Sequence, residues 1–301
     1  MFELEKPTPL QQIYAPLFLE KGVEVFLKRE DLIDVDISGN KWRKLKYNLI
    51  QASELGFQKI LTFGGAYSNH IAATAAACKR FGFESVGIIR GEELNANSNP
   101  TLRQATEYGM NLKFITRSDY QHRDDKVWIN DLSEKYQAFV VPEGGSNEAA
   151  LKGVKELVDE IDINFDYILC PIGTGGTLAG IIQGLVAKQK ALGISCLKGE
   201  GYLEQMVQGL TKKTESWALI HNYHFGGYAR FDSHLIGFIN QFYEAHGIPL
   251  DPIYTGKMMY GFFDLLKKGK FPDGSRVICV HTGGLQGIAG FNAQHNDLLK
   301  T

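Results

Sequence analysis

Short apolar runs, several ending in paired glycines, alternate with amphipathic stretches along most of the chain, and this alternation limits the folds open to it. The runs at 59–65 (KILTFGG), 85–91 (SVGIIRG), 111–116 (NLKFIT), 138–145 (AFVVPEGG), 167–173 (YILCPIG) and 277–284 (VICVHTGG) are strand-like. Between them, 42–56, 69–82, 100–109, 147–161, 177–193 and 257–269 carry helical spacing, and Gly56, Gly82, Gly109 and Gly193 are predicted to close helices. Strand, turn and helix repeated in this way predict an α/β protein with parallel sheets joined by crossover helices. No Pro- or Ser-rich linker and no fixed-period repeat interrupts the pattern. Two lobes would therefore be threaded by chain crossings.

Charge and cysteine usage narrow the class. Thirty-two basic against 34 acidic side chains in 301 residues leave a net charge of −2, without the basic excess a nucleic-acid partner requires. No apolar run approaches the ~18 residues of a membrane span. The opening stretch MFELEKPTPLQQIY has neither a basic nor an apolar leader region, so a cytoplasmic location is expected. Cys78, Cys170, Cys196 and Cys279 are far apart with no metal-ligand spacing, and are expected to be reduced and mostly buried. His221 and His224 lack a third ligand and are read as ordinary loop or strand residues; no metal is expected.

In open parallel sheets, ligands lie outside the carboxyl ends of the strands, where helix N-termini present free N–H groups. Four segments fit that position. Gly173-Thr174-Gly175-Gly176-Thr177 joins a buried strand to a helix and suits a compact phosphate monoester. It lacks the Lys of a Walker loop, and Leu178 stands where a dinucleotide fingerprint needs its third glycine. A side chain at Gly175 is expected to obstruct backbone approach to the phosphate. At 38–45, Ser38 or Asn40 can cap a helix whose first turn holds Lys41, with Lys44 on the same face. The helix dipole, a like charge and desolvation all favour a neutral, nucleophilic amine there. At 64–70, Ser68 and Asn69 begin a helix and suit a carboxylate. The fourth segment is His281-Thr282-Gly283-Gly284, and 251–261 places Tyr254 ahead of a further helix.

The ordered set GNKWRKLKYN, GGAYSNHIAATAAA, EGGSNEAALKG, GTGGT, DPIYTGK and HTGG resembles the fold type II pyridoxal-phosphate enzymes, and more narrowly the branch holding D-cysteine desulfhydrase and 1-aminocyclopropane-1-carboxylate (ACC) deaminase. The resemblance runs over essentially the whole chain. It implies a tryptophan synthase β-like fold, with two open, twisted, mostly parallel sheets flanked by helices. A larger cofactor-binding domain at 1–44 and 149–301 would enclose a smaller inserted domain at 45–148. The implied cofactor is pyridoxal 5′-phosphate, the implied substrate a small amino acid and the implied assembly a homodimer. Lys41 matches the lysine that forms the Schiff base, and Lys44 the basic residue near the phosphate. Gly173, Thr174, Gly175, Gly176 and Thr177 match the phosphate loop. Asn69 matches the side chain beside the cofactor's 3′-oxygen, and Thr282 a hydroxyl against the pyridine nitrogen. Ser68, with the backbone at Asn69 and His70, matches the substrate-carboxylate and catalytic-hydroxyl position. Tyr254 matches an active-site tyrosine, and Tyr228 lies where the family has a second one. Two departures stand out. The segment 196–217 is shorter than in relatives, and Ile71-Ala72-Ala73 lacks an arginine common after the Ser-Asn pair.

ACC deaminases resemble a case in which glutamate follows the tyrosine and keeps the ring protonated. Here Thr255 follows Tyr254, and a neutral hydroxyl favours expulsion of a good leaving group over opening of a cyclopropane. The resemblance thus implies β-elimination from a D-amino acid, D-cysteine to pyruvate, ammonia and hydrogen sulfide, with ACC deamination as the runner-up. The reading from another class is a non-catalytic protein that binds pyridoxal phosphate or another phosphate ligand. Lys41, Ser68 and Tyr254 together argue against it, because a binder needs only the glycine loop.

Overall fold

The computed structural model describes residues 2, 4 and 7–300; residues 1, 3, 5 and 6 of the opening stretch lie outside the described residues. The chain begins with β1 (Leu10–Ile13), α1 (Pro16–Glu20) and β2 (Glu24–Arg29), and then enters α2 (Asn40–Glu54). Next come β3 (Lys59–Gly64), α3 (Asn69–Phe81), β4 (Glu84–Arg90), α4 (Pro100–Glu107), β5 (Asn111–Ile115), α5 (Lys126–Tyr136) and β6 (Phe139–Val141). After α6 (Glu148–Asp159) follow β7 (Tyr167–Ile172), α7 (Gly176–Gly184), β8 (Lys190–Ser195), α8 (Tyr202–Leu210) and β9 (Trp217–Ile220). The last elements are α9 (Ser233–His246), α10 (Thr255–Lys267), β10 (Arg276–His281) and α11 (Gln286–Gln294).

These strands form two sheets, a six-stranded one ordered β1-β2-β10-β7-β8-β9 and a four-stranded one ordered β5-β4-β3-β6. Every pairing is parallel except β1 with β2. The central strands β7, β8 and β10 are buried along nearly their whole length, which is why β7 and β10 read as unbroken apolar runs. Residues 71–78 of α3 are all buried, and the helix packs on β3, β4, α2 and α4 with side chains mostly no larger than alanine. Trp42 of α2 stacks on Phe81 at its end, with ring centroids 5.3 Å apart.

Two readings of the sequence are corrected. The helix expected over 177–193 stops at Gly184, and Lys190–Ser195 is a strand; Gly193 therefore lies inside β8 and closes no helix. Five of its six residues are buried between β7 and β9, where a parallel strand needs apolar side chains on both faces and no helical period survives. Strands β1, β2 and β9 also escaped the sequence pattern, because their polar residues and short lengths blur the alternation. Gly56, Gly82 and Gly109 do follow helices in left-handed conformation.

Candidate active site

One cavity of about 770 Å³ lies where the carboxyl ends of both sheets face each other. Its floor begins at the exit of β10. Gly39 has φ 65°, and an added Cβ would stand 1.9 Å from the Thr282 carbonyl oxygen, so the approach of these two segments requires glycine. The Asn40 N–H donates to that same carbonyl at 3.1 Å. Gly39, rather than Ser38 or Asn40, is the N-cap of α2. Ser38 Oγ instead accepts from the Gly284 N–H at 3.2 Å, and Asn40 Nδ2 donates to Thr177 Oγ1 at 2.7 Å.

Lys41 and Lys44 follow on the first turns of α2. Lys41 Nζ donates to Asn40 Oδ1 at 3.3 Å, and burial pulls its amine down to about 8 against the opposing pull of Asp251. Lys44 Nζ donates to Gly144 O at 2.9 Å, Ser146 Oγ at 3.1 Å and Thr174 Oγ1 at 3.4 Å. Burial first, and Lys41 second, hold the Lys44 amine well below the ordinary lysine value. An anion placed beside it would restore its charge.

The anion would sit in the turn between β7 and α7. Ser146 and Thr174 exchange a hydrogen bond at 2.7 Å, and the free N–H groups of α7 face them. Gly175 has φ 74°, and its added Cβ would meet Val207 of α8 at 3.1 Å. Glycine is needed there for the left-handed turn and for α8, which corrects the expectation of a direct clash with a ligand. Gly176 is the position that guards the hollow: a Cβ there would stand 2.5 Å from Ser146 Oγ and 3.1 Å from Lys44 Nζ. Two hydroxyls, an amine that an anion would recharge and a helix start converge beside a glycine whose missing Cβ leaves the backbone open to approach, and this donor set fits the phosphate of pyridoxal phosphate.

Across the cavity, the small sheet presents α3. Ser68 is its N-cap and accepts from the Ile71 N–H at 3.3 Å, and Asn69 Oδ1 accepts from Gln286 Nε2 at 3.0 Å. His70 is 2% exposed. The Thr62 hydroxyl gives its proton to Val141 O at 2.8 Å, so at 2.8 Å from His70 Nε2 it must accept. His70 is thereby fixed with its proton on Nε2. Burial, Lys41 and Lys44 hold its pKa well below the ordinary value, and the bare Nδ1 has no protein partner.

Tyr254 closes the wall, its ring against Gly173, where an added Cβ would meet Cε1 at 3.3 Å. Burial raises its hydroxyl pKa well above 10, so it stays protonated. Tyr228, 46% exposed at the mouth, meets it edge to face, with ring centroids 6.3 Å apart. Asp251 organises the turn: it accepts from the N–H groups of Ile253 at 2.8 Å, Tyr254 at 2.7 Å and Thr255 at 2.9 Å, and from Thr255 Oγ1 at 2.6 Å. Thr255 Oγ1 also accepts from the Asp251 N–H at 2.9 Å, so its hydroxyl is fully committed away from the cavity.

Lys41, Lys44, Ser68, Asn69 and His70 all line the cavity. So do Gly173, Thr174, Gly175, Thr177, Tyr228, Tyr254 and Thr282. Gly176 lies just behind the wall. The shortness of 196–217 does not keep Tyr228 away from Tyr254. His221 and His224 take part in no such grouping; His221 Nε2 meets Glu204 Oε1 at 2.6 Å. Sequence reasoning offered Asn40 only as a helix cap and passed over Thr62, Ser146 and Asp251. Of these, only the Asp-Pro step ahead of a helix signalled an Asx-type turn.

The family model described as pyridoxal-phosphate dependent enzyme matches residues 1–283. A bifunctional D-cysteine desulfhydrase/ACC deaminase of Arabidopsis thaliana is 32% identical over 94% of this chain and 77% of its own. A putative ACC deaminase of Pyrococcus abyssi is 32% identical over 97% of this chain and 93% of its own. A solved ACC deaminase homologue superimposes with a TM-score of 0.85 at 28% identity, covering 98% of this chain and 95% of that one.

Proposed function

This chain belongs to the pyridoxal-phosphate-dependent enzyme family, fold type II, and on that premise we propose that it eliminates the β-substituent of a D-amino acid, D-cysteine foremost, releasing pyruvate, ammonia and hydrogen sulfide. Its cofactor is pyridoxal 5′-phosphate, which when bound supplies a sink for the electron pair released at the substrate's Cα. Lys44, Ser146, Thr174, Gly176 and Thr177 would hold the phosphate, with Asn69 and Thr282 beside the ring. Lys41, part-neutral near pH 8, would carry the cofactor and its neutral amine would take the Cα proton. Ser68 and the start of α3 hold the substrate carboxylate. Tyr254, protonated throughout the working range, would donate a hydrogen bond to the departing sulfur, and Tyr228 would steady that hydroxyl.

The observation that carries the choice of reaction is the pair Thr255 and Thr282. Thr282 lies in the cavity wall, whereas Thr255 is turned into Asp251, so the side expected to meet the ring nitrogen offers a neutral hydroxyl. ACC deamination is the second reading, favoured by the names of the relatives at 32% identity. The deciding assay measures pyruvate from D-cysteine, L-cysteine and D-serine, and 2-oxobutyrate from ACC. Turnover of ACC above that of D-cysteine overturns the first reading. Segregation of the strands into two sheets also supports our proposed division into 1–44 with 149–301 and an inserted 45–148.

A further inference from the structure

Lys257, on the first turn of α10, is fully buried and, among the described residues, has no carboxylate hydrogen-bonded to it. Its Nζ instead donates to the carbonyls of His224 at 2.9 Å, Gly227 at 2.9 Å and Cys196 at 3.4 Å. A buried ammonium is expensive unless its donors are satisfied, and here all three are used on backbone of two separate segments. One of these segments is itself strained. Phe225 and Ala229 hold φ of 52° and 54°, in a region that side-chain-bearing residues avoid, and Gly226 and Gly227 between them are at 94° and 123°. Such a backbone persists only where its surroundings over-determine it. The residue this loop presents to the cavity is Tyr228.

We propose that Lys257 is a positioning residue: its ammonium holds the strained 224–229 loop down so that the Tyr228 hydroxyl stays against Tyr254. The anchor and Tyr254 sit three residues apart at the start of the same helix, so one element sets both tyrosines. Tyr254 lies on the turn fastened by Asp251, and Tyr228 is drawn in by Lys257. The consequence for turnover rests on the role proposed above for the two tyrosines; the placement of the loop does not.

The test uses the holoenzyme and two independent readouts. In Lys257→Met, backbone amide exchange of the 224–229 segment should accelerate at least tenfold, while the 173–177 turn keeps its protection and the cofactor its affinity. Methylammonium added to Lys257→Ala should slow the exchange again. The kcat of Lys257→Met should fall to that of Tyr228→Phe, and the double variant should fall no further, because both remove the same contact. Unchanged exchange, or losses that multiply in the double variant, overturns the proposal. Faster exchange with kcat unchanged in both single variants supports the placement and overturns instead the role given to Tyr228. If Lys257→Met does not fold, Gly227→Ala, which shifts one of the bound carbonyls, is put through the same cycle with Tyr228→Phe. Unaltered exchange there overturns the proposal equally.

Discussion

Asn40 Nδ2 donates to Thr177 Oγ1 at 2.7 Å, tying the helix that carries both site lysines to the helix whose start closes the phosphate hollow. Asn40 Oδ1 meanwhile accepts from Lys41. Asn40→Leu removes both contacts in a buried place; the Thr177 bond, which alone joins the two helices, is worth ~1–1.5 kcal/mol, and its loss corresponds to roughly a five- to twelvefold rise in cofactor Kd. Equilibrium dialysis of pyridoxal phosphate against both proteins checks it; equal affinity would show that the two helices are held in register by other means.

Gly176→Ala should weaken cofactor binding more than Gly175→Ala does. The first puts a methyl group 2.5 Å from Ser146 Oγ and 3.1 Å from Lys44 Nζ, inside the hollow. The second strains a left-handed turn and crowds Val207 instead, so its cost falls on folding stability. Cofactor titration and thermal melting of the two variants separate the effects, and a reversed order refutes the assignment of the hollow.

Lys41 should titrate far below an ordinary lysine. In cofactor-free protein, the rate at which Lys41 captures pyridoxal phosphate should rise with pH through a midpoint near 8 rather than 10.5, because only the neutral amine attacks. The same depression makes stability climb with pH. Between about 8 and 10.5 the unfolded chain holds a proton on Lys41 that the folded chain does not, so this residue's penalty fades across that window. Stopped-flow absorbance and denaturant titrations at several pH values measure the two effects.

Thr255→Glu alone should not produce an efficient ACC deaminase. Position 255 is fully buried with its hydroxyl bonded to Asp251, so the new carboxylate would face an existing one with no cation hydrogen-bonded to either. A stability loss of about 1–3 kcal/mol is expected, with no gain in 2-oxobutyrate. Thr282→Val and the double variant complete the comparison, and their effects should be non-additive if both positions act on one ring. A large gain from Thr255→Glu alone places the chain in the other branch.

Arg43 joins Glu30 at 2.9 Å and Glu160 from one side of α2, while Lys28 reaches Glu160 at 2.7 Å. Arg43→Met leaves Glu30, a fully buried carboxylate, without a cation while Glu160 keeps Lys28, and should cost roughly 3–5 kcal/mol. Chemical denaturation reads this directly. A loss below 1 kcal/mol would mean that water or Lys28 takes over the charge.

What the sequence disclosed of the site was what lies contiguous in it. Lys41 and Lys44 share a helical turn, the 173–177 loop is a single strand exit, and Ser68 heads its helix; residue type and spacing suffice for these. The cross-links made by Asn40 and Ser146 escaped because their partners are fixed only by the fold: Thr177 is 137 residues from Asn40, and Lys44 is 102 from Ser146. The Asp251 turn is local, yet its importance depends on Tyr254 meeting Gly173 and Tyr228 across the cavity. The lost strand β8 has the same origin, since only its neighbours β7 and β9 distinguish an apolar strand from the end of a helix.

All four cysteines are free and buried, and burial pushes the thiols of Cys78 and Cys170 up to about 12 and those of Cys196 and Cys279 higher still. Thiolate is the form that exchanges with disulfides and sulfenic acids, and at such values almost none exists near neutral pH. The proposed cleavage of D-cysteine would place the protein among its substrate's thiol and released sulfide. With all four thiols out of contact and in the unreactive form, the protein would be chemically deaf to such compounds, neither capped by mixed disulfides nor drained of activity by released sulfide.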